Sequence, residues 1–229
     1  MKFTWDAYSA LLELLKREKY EFSNYHEYKS ATGDCVILRH DIDNSIEKAY
    51  RMALLENNSG VKSTYFVLLT SEFYNIAADK NLRLLQAIKE MGHEIGLHFD
   101  ETIYKKNTNL NIKSAVEREK IIMESILQIP IRAISMHRPS KEALESDWKF
   151  ENMINSYAKE FFCEFKYVSD SRRCWREEVE KIIIGHSYKK LHILTHAFWY
   201  GKEEKGIRES IEEWLLNASV ERWDILSGN

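Results

Sequence analysis

Four short stretches of this chain place acidic, histidine or arginine side chains directly after apolar, strand-like runs. They are residues 39–43 (RHDID), 92–98 (GHEIGLH), 136–139 (MHRP) and 194–196 (LTH). In α/β enzymes, reactive side chains from distant parts of the chain meet at the carboxyl ends of parallel strands. The four stretches together therefore predict one hydrolytic active site that is assisted by a metal ion.

The two carboxylates of the first stretch, Asp41 and Asp43, are two residues apart. Residues at this spacing in an extended chain point to the same side, so both carboxylates can face one pocket. Close carboxylates repel each other unless one is protonated or a cation lies nearby. The pair thus predicts one metal ligand and one carboxylate that is free to act as a base. The alternative is that Asp43 and Asn44 only form a turn and cap the following helix.

Histidine and arginine side chains from the other stretches can complete such a site. His98 ends its strand as Asp43 does, and a His–Asp pair suits Zn²⁺ or a similar divalent ion. The other interpretation of His98 is a surface or buried structural histidine. Arg138 could hold Asp41 through two parallel hydrogen bonds, or it could be a surface side chain beside a turn proline.

The last stretch supplies a candidate acid. His196 follows an apolar run, and because the ordinary pKa of histidine lies near neutrality, it could protonate a leaving group. Asp170 could orient His196, or it could cap the next helix. His93 lies at the opposite end of its strand from the predicted site, and we interpret it as structural.

The elements that must position these residues alternate along the chain. The predicted strands are residues 35–38, 62–69, 94–99, 132–137, 165–169, 182–184 and 192–195. The predicted helices are residues 5–17, 44–57, 81–91, 114–127, 151–162 and 208–217. Strands separated by helices favour right-handed crossovers and a parallel sheet. We therefore predict an α/β fold: a single-domain, distorted (β/α) barrel of about seven parallel strands, spanning residues 1–229 with 1–34 as a helical and irregular lead-in.

Composition and missing motifs exclude several functions. The net charge of −3 gives no general attraction for nucleic acid. No apolar run approaches the ~20 residues of a membrane span, no signal peptide is evident, and three cysteines without CxxC spacing are typical of reduced thiols, so we expect a cytoplasmic protein. The phosphate-binding, serine-hydrolase and HExxH motifs do not occur, which disfavours those enzyme classes.

Taken in order, HDID, GHEIGLH, HRP, SD and LTH resemble the motifs of polysaccharide deacetylases of the NodB-homology family, across roughly residues 35–214. The resemblance implies the barrel fold, a divalent metal such as Zn²⁺, and removal of an N-acyl group from a sugar. The residues to which it assigns roles are Asp41 as base, Asp43 and His98 as metal ligands, Arg138 as the group that orients the base, His196 as general acid, and Asp170 as the family's further aspartate.

The chain also departs from the family pattern. Ile42 separates the two aspartates, and Thr102 stands where the family has its second metal histidine, four residues after the first. We expect His137 to be the third ligand, with Asp100 as the second choice.

Substrate and partners follow from the resemblance together with the expected cytoplasmic location. The two imply a sugar or glycan in surface-polysaccharide biosynthesis, and they allow a nucleotide- or lipid-linked form of it and a homo-oligomer. The alternatives are a metal-independent C–N amide hydrolase or group-transfer enzyme on the same fold, and a non-catalytic protein that binds or assembles glycans.

Overall fold

The fold is built on one sheet of eight strands in which every pair is parallel. A computed structural model of the chain describes residues 1–105 and 111–228. The strands are β1 (Glu21–Ser23), β2 (Cys35–Ile42), β3 (Thr64–Leu68), β4 (Glu94–Asp100), β5 (Ala133–His137), β6 (Ile154–Asn155), β7 (Lys166–Ser169) and β8 (Lys190–Thr195). Their spatial order is β6-β5-β4-β3-β2-β8-β7, and β1 lies beside the start of β2. The sheet is an open half-barrel, which confirms the predicted distorted (β/α) barrel.

Helices connect the strands and cover the outside of the sheet. They are α1 (Trp5–Arg17), α2 (Ile46–Asn58), α3 (Asp79–Glu90), α4 (Glu101–Lys105), α5 (Ile112–Leu127), α6 (Lys141–Glu145), α7 (Glu160–Cys163), α8 (Val179–Ile184) and α9 (Ile207–Ser227). The first helix has the predicted bounds, and the side chain of Thr4 caps it by accepting a hydrogen bond from the backbone N–H of Ala7. The second helix is capped by Ser45, not by the predicted Asn44, because its hydroxyl accepts from the backbone N–H of Lys48.

Alternation along β2 divides the core into two layers. Val36 and Leu38 pack into the large cluster between sheet and helices, whereas Cys35 and Ile37 pack into a smaller, aromatic-rich cluster inside the barrel. Both clusters are close to fully buried. Since Cys35 and Ile37 begin their strand, apolar side chains fill the amino-terminal end of the barrel and polar ones are left for the carboxyl-terminal end.

Gly96 of β4 permits this interior packing. A Cβ atom at this position would lie 2.6 Å from ring carbons of Phe66 and 3.0 Å from the carbonyl oxygen of Ala133. Separations of that size lie well inside the van der Waals optimum for carbon, so only glycine lets the Phe66 ring cross this point of the barrel.

Two predicted elements were wrong. Residues 182–184 are not a strand but the end of α8, in which Val179 and Ile183 are buried four residues apart and Ile184 is exposed. Residues 151–162 are not one helix, because Asn152 adopts a left-handed backbone with φ 55° and the chain then forms β6 against β5. β-branched residues favour strands only when packing does not decide otherwise, which explains the first error.

The last helix is longer than the sequence pattern predicts, since α9 continues to Ser227. Within the described part of the chain, none of the helices combines the length and the apolar character needed to cross a lipid bilayer.

Candidate metal centre and active site

Three potential metal ligands converge at the carboxyl ends of neighbouring strands. Asp43 directly follows β2, His98 lies near the end of β4, and His137 ends β5. Asp43 Oδ1 is 3.2 Å from His98 Nε2 and 3.3 Å from His137 Nδ1, and the two nitrogens are 3.1 Å apart. The structure therefore brings together the three residues that the sequence predicts as ligands, and they form a candidate metal site.

These distances fit a divalent cation. Ligands bound tetrahedrally to Zn²⁺ at 2.0–2.2 Å lie about 3.3–3.6 Å from one another, close to the spacing seen here. Asp43 Oδ1 is buried without a hydrogen bond of good geometry among the described residues, although both imidazole nitrogens lie nearby. A buried carboxylate oxygen without a hydrogen bond is expected where it contacts a cation. Here the cation would lie between this oxygen and the two imidazole nitrogens. The donor set of one carboxylate and two imidazoles is also one that zinc prefers.

The hydrogen bond of His98 to the backbone favours ligation by its other nitrogen. His98 Nδ1 lies 3.3 Å from the carbonyl oxygen of Ser135, which can only accept, so the proton belongs on Nδ1 and the Nε2 lone pair faces Asp43. Burial raises the pKa of Asp43, but the nearby imidazoles of His137, His98 and His196 outweigh it and hold the pKa well below its usual range. Asp43 is therefore a carboxylate at neutral pH.

The second-choice ligand, Asp100, has another role. Its Oδ1 accepts hydrogen bonds from the backbone N–H and the hydroxyl of Thr102, at 2.9 and 2.6 Å. These hydrogen bonds lie at the start of α4. They involve Asp100, the alternative ligand, and Thr102, the residue at the position of the family's second histidine. Of the two candidates for a third ligand, the structure places His137 in the cluster.

Asp41 lies beside the candidate metal site with one oxygen held and the other free. Its Oδ2 accepts a 2.8 Å hydrogen bond from Arg39 Nη2 and is 3.8 Å from His98 Nε2. Its Oδ1 is buried and has no hydrogen-bond partner among the residues described. Burial raises the pKa of Asp41, but the charges of Arg39, His98 and His196 lower it below its usual value. An ionised carboxylate with one free, buried oxygen is suited to accept a proton.

The guanidinium beside Asp41 belongs to Arg39, which corrects the prediction that Arg138 orients this carboxylate. Arg138 is exposed and has φ 50°, so the chain turns away from the barrel immediately after His137. Within the described residues, no hydrogen bond joins Arg138 to Asp41. The chain carries the positive charge two residues before Asp41, on the same face of the same strand.

Arg39 is held by groups from three parts of the chain. Its Nη2 donates to Ser135 at 2.8 Å as well as to Asp41, its Nη1 donates to Ser156 at 2.9 Å, and its guanidinium carbon lies 4.9 Å from the ring centre of Tyr157. The side chain is fully buried. Sequence reasoning missed this residue, although the spacing of Arg39, Asp41 and Asp43 indicates that all three point to one side.

His196 faces the site from the end of β8. Its Nδ1 lies 2.6 Å from Asp170 Oδ1, its backbone N–H donates to both oxygens of Asp170, and its Nε2 lies 4.0 Å from Asp43 Oδ2. Burial lowers the pKa of His196, but the charge of Asp170 and its hydrogen bond raise it, to about 9. His196 therefore holds a proton at neutral pH. Of the two interpretations of Asp170, the contacts support orientation of His196, since its side chain caps no helix.

No protein-family model matches the chain, and no curated protein matches it. Solved structures do match. One is a polysaccharide deacetylase from Bacillus cereus, with 14% identity over 71% of this chain and 78% of that one and a TM-score of 0.43. Another is a family 4 acetyl xylan esterase from Clostridium thermocellum in complex with a cobalt ion, with 12% identity over 71% and 73% and a TM-score of 0.44.

A third structure is a family 4 pseudoenzyme from Bacillus anthracis, with 15% identity and a TM-score of 0.45. The match covers 72% of this chain and 56% of the pseudoenzyme, so the chain spans little more than half of that protein's length. The structural neighbours are thus family 4 carbohydrate esterases and polysaccharide deacetylases, the class that the sequence motifs resemble.

Proposed function

We propose that this protein is a metal-dependent hydrolase that removes an acetyl group from the nitrogen of an N-acetylated sugar. One observation carries the proposal: a candidate cation site, formed by Asp43, His98 and His137, lies beside an ionised carboxylate, Asp41, and a protonated histidine, His196. Amide hydrolysis requires a group that takes a proton from water and a group that gives one to the departing amine. Asp41 and His196 are those groups.

Asp41 acts as the base. Arg39 fixes Oδ2 and leaves Oδ1 unbonded, so the carboxylate presents one defined oxygen to a water molecule in the site. A divalent cation held by the three ligands would polarise the acyl carbonyl and make water more acidic. The lowered pKa of Asp41 keeps it ionised until it accepts the proton.

His196 acts as the acid. The water oxygen adds to the acyl carbon, the C–N bond breaks, and the products are acetate and a free amine. An amine is a poor leaving group unless it is protonated, and His196 Nε2 is the protonated nitrogen that faces the cluster. Asp170 holds the imidazole through Nδ1, which leaves Nε2 to deliver the proton. This requirement favours an N-acyl over an O-acyl substrate, because an alcohol leaves more readily.

The sugar is proposed from the motif resemblance, and we place it among the N-acetylated sugars of glycan biosynthesis. A panel of free N-acetylglucosamine oligomers, a nucleotide-linked N-acetyl sugar and an O-acetylated xylan tests this choice by acetate release. We expect release from N-acetyl substrates in the presence of Zn²⁺. Release from the xylan alone would contradict the N-acyl assignment.

Substitutions at the base and acid test the mechanism. Asp41→Asn and His196→Asn should each lower kcat by roughly 10²- to 10⁴-fold, the usual contribution of a general acid or base. Arg138→Met is the matched control, since this side chain is exposed and outside the cluster, and it should keep wild-type activity. Unchanged acetate release by Asp41→Asn would refute its role as base.

The same measurements separate the alternative functions. A metal-independent hydrolase would keep full activity after dialysis against a chelator, with no Zn²⁺ bound. If the protein binds glycans without turnover, the wild type and Asp41→Asn should bind the sugar with equal affinity. Neither of them should then release acetate.

A further inference from the structure

A buried polar network lies on the outer face of the sheet, directly behind the proposed base and acid. It consists of side chains from α1, β2, α2, the start of β3 and β8, and every member is nearly or fully buried. We call it the outer-face network, and its members are Tyr8, His40, Glu56, Ser63, Tyr65 and Thr195. None of these residues faces the metal cluster, so the proposed mechanism does not use them.

Glu56 is the centre of the network. Its Oε1 accepts from Tyr8 at 2.6 Å and lies 2.8 Å from His40 Nε2, and its Oε2 accepts from Ser63 and Tyr65, both at 2.6 Å. A fully buried carboxylate is costly unless its oxygens are satisfied, and here each oxygen has two partners. Burial raises the pKa of Glu56, but the charges of His40 and His93 and the hydrogen bonds from His40 and Ser63 outweigh it and lower this pKa.

His40 connects this centre to β8. Its other ring nitrogen, Nδ1, lies 2.6 Å from the hydroxyl of Thr195. The sheet register places His40 beside Thr195 on one side and beside Tyr65 on the other, so the three form one row across β8, β2 and β3. His40 immediately precedes Asp41. Thr195 immediately precedes His196.

We propose that His40, Glu56 and Thr195 are positioning residues that hold the proposed base and acid at their working separation. Neighbouring residues in a strand point to opposite faces, so fixing His40 and Thr195 on the outer face fixes the backbone from which Asp41 and His196 extend toward the cluster. The inference rests on the proposed function. A displacement of about 1 Å at a reacting group can lower a rate about 100-fold. Loss of the hydrogen bond between His40 and Thr195 should therefore lower the rate of the proposed reaction.

Thr195→Val removes the hydroxyl and keeps the shape of the side chain. We expect kcat to fall about 10- to 100-fold with KM within twofold of wild type, and Zn²⁺ content to stay at one ion per chain. Thr195→Ser restores the hydroxyl and should recover kcat to within about threefold. Glu56→Gln weakens the contact of Glu56 with the other ring nitrogen of His40, so it should lower kcat in the same way. The double variant should lose less than the product of the two effects, because the residues act as a unit.

Tyr28→Phe is the control for a merely structural role. It also removes one hydrogen bond of a buried side chain, of 2.7 Å to Glu160 Oε2, but in the cluster inside the barrel. Tyr28→Phe should shift the urea unfolding midpoint as much as Thr195→Val does, yet leave kcat within twofold of wild type.

The outcomes separate the two claims. An active wild-type enzyme in which Thr195→Val has the same kcat as Tyr28→Phe overturns the positioning role alone, as does a loss confined to KM. A wild-type protein that binds Zn²⁺ but releases no acetate from any substrate of the panel overturns the proposed function and the positioning role with it.

Discussion

Replacing Arg39 with methionine removes the guanidinium that lies against Asp41 and keeps a side chain of comparable length. The arginine is fully buried and donates to Asp41 at 2.8 Å, and it also donates to Ser135 and Ser156. In the variant, the carboxylate of Asp41 stays buried without its counter-charge. We expect the free energy of unfolding to fall, and the part of the fall that a second substitution, Asp41→Asn, reverses reports the coupling of this pair.

The size of the loss follows from burial of both partners. Breaking a buried ion pair by removing one partner costs about 3–5 kcal/mol, because an uncompensated charge remains. A domain with an ordinary free energy of unfolding of about 5–15 kcal/mol should therefore stay folded but unfold at much lower urea concentration. Asp41→Asn in the Arg39→Met background removes the stranded charge and should recover most of the loss. Arg138→Met should change the free energy of unfolding by less than about 0.5 kcal/mol, as expected for an exposed side chain.

The pH dependence of the loss gives a second, signed test. In the wild type, the pKa of Asp41 is lowered, so its contribution to stability is present above the ordinary pKa and is lost as pH falls through the lowered value. Without Arg39, burial raises this pKa, and the native state takes up a proton before the unfolded chain does. The deficit of Arg39→Met should therefore shrink between pH 8 and pH 5 in urea titrations. A loss below about 1 kcal/mol at pH 8, or an equal loss in Arg138→Met, would refute the assignment of Arg39 to Asp41.

Three further predictions test the ligands, the acid and the barrel interior. His137→Ala should weaken Zn²⁺ binding at least about 100-fold in competition with a chelator, whereas Asp100→Ala should keep its affinity; equal affinities would exclude His137 as a ligand. In zinc-free protein, the imidazole of His196 should titrate by NMR near its raised pKa of about 9, and Asp170→Asn should lower that pKa. Because the pKa is raised, the contribution of His196 to stability is complete below about 6.5 and is lost as pH rises toward 9; an ordinary pKa for His196 would contradict the ion pair. Gly96→Ala should cost about 1–3 kcal/mol in urea unfolding, since its Cβ would lie 2.6 Å from an aromatic ring, and a neutral effect would show that the interior can relax.

The sequence predicts the fold where the periodicity of apolar residues is unambiguous. Residues 5–17 form a helix with the predicted bounds. The strands that carry the site, β2, β4, β5 and β8, each overlap the predicted range. The prediction failed at residues 182–184, because three consecutive isoleucines show neither helical nor strand periodicity. The segment is helical, with Val179 and Ile183 buried four residues apart on one face. The sequence thus predicts a helix or strand reliably only when apolar residues recur with the period of that element.

The partners of a buried charge are harder to predict than the charge itself. Arg39 stands two residues before Asp41, and the alternation of a strand already indicates that they share a face. Its remaining partners could not be read from the sequence, since Ser135 and Ser156 lie 96 and 117 residues away. Glu56 is the clearer case: in a predicted amphipathic helix a glutamate is expected to face solvent, and only the fold brings four polar groups to it.

The candidate metal site takes its second imidazole from β5, whereas the family that the motifs resemble has its second histidine four residues after the first. That histidine would come from the same strand region as His98, but here the chain enters α4 at Glu101, and Thr102 is bound to Asp100 at the start of this helix. The neighbouring strand supplies the replacement. The register pairs His98 with Ser135, so the next inward-facing position of β5 after Ser135 is His137, one step closer to the mouth of the barrel. Its Nδ1 reaches His98 Nε2 at 3.1 Å. His137 of β5 thus adds a second imidazole beside His98, because parallel strands bring their carboxyl ends to a common edge.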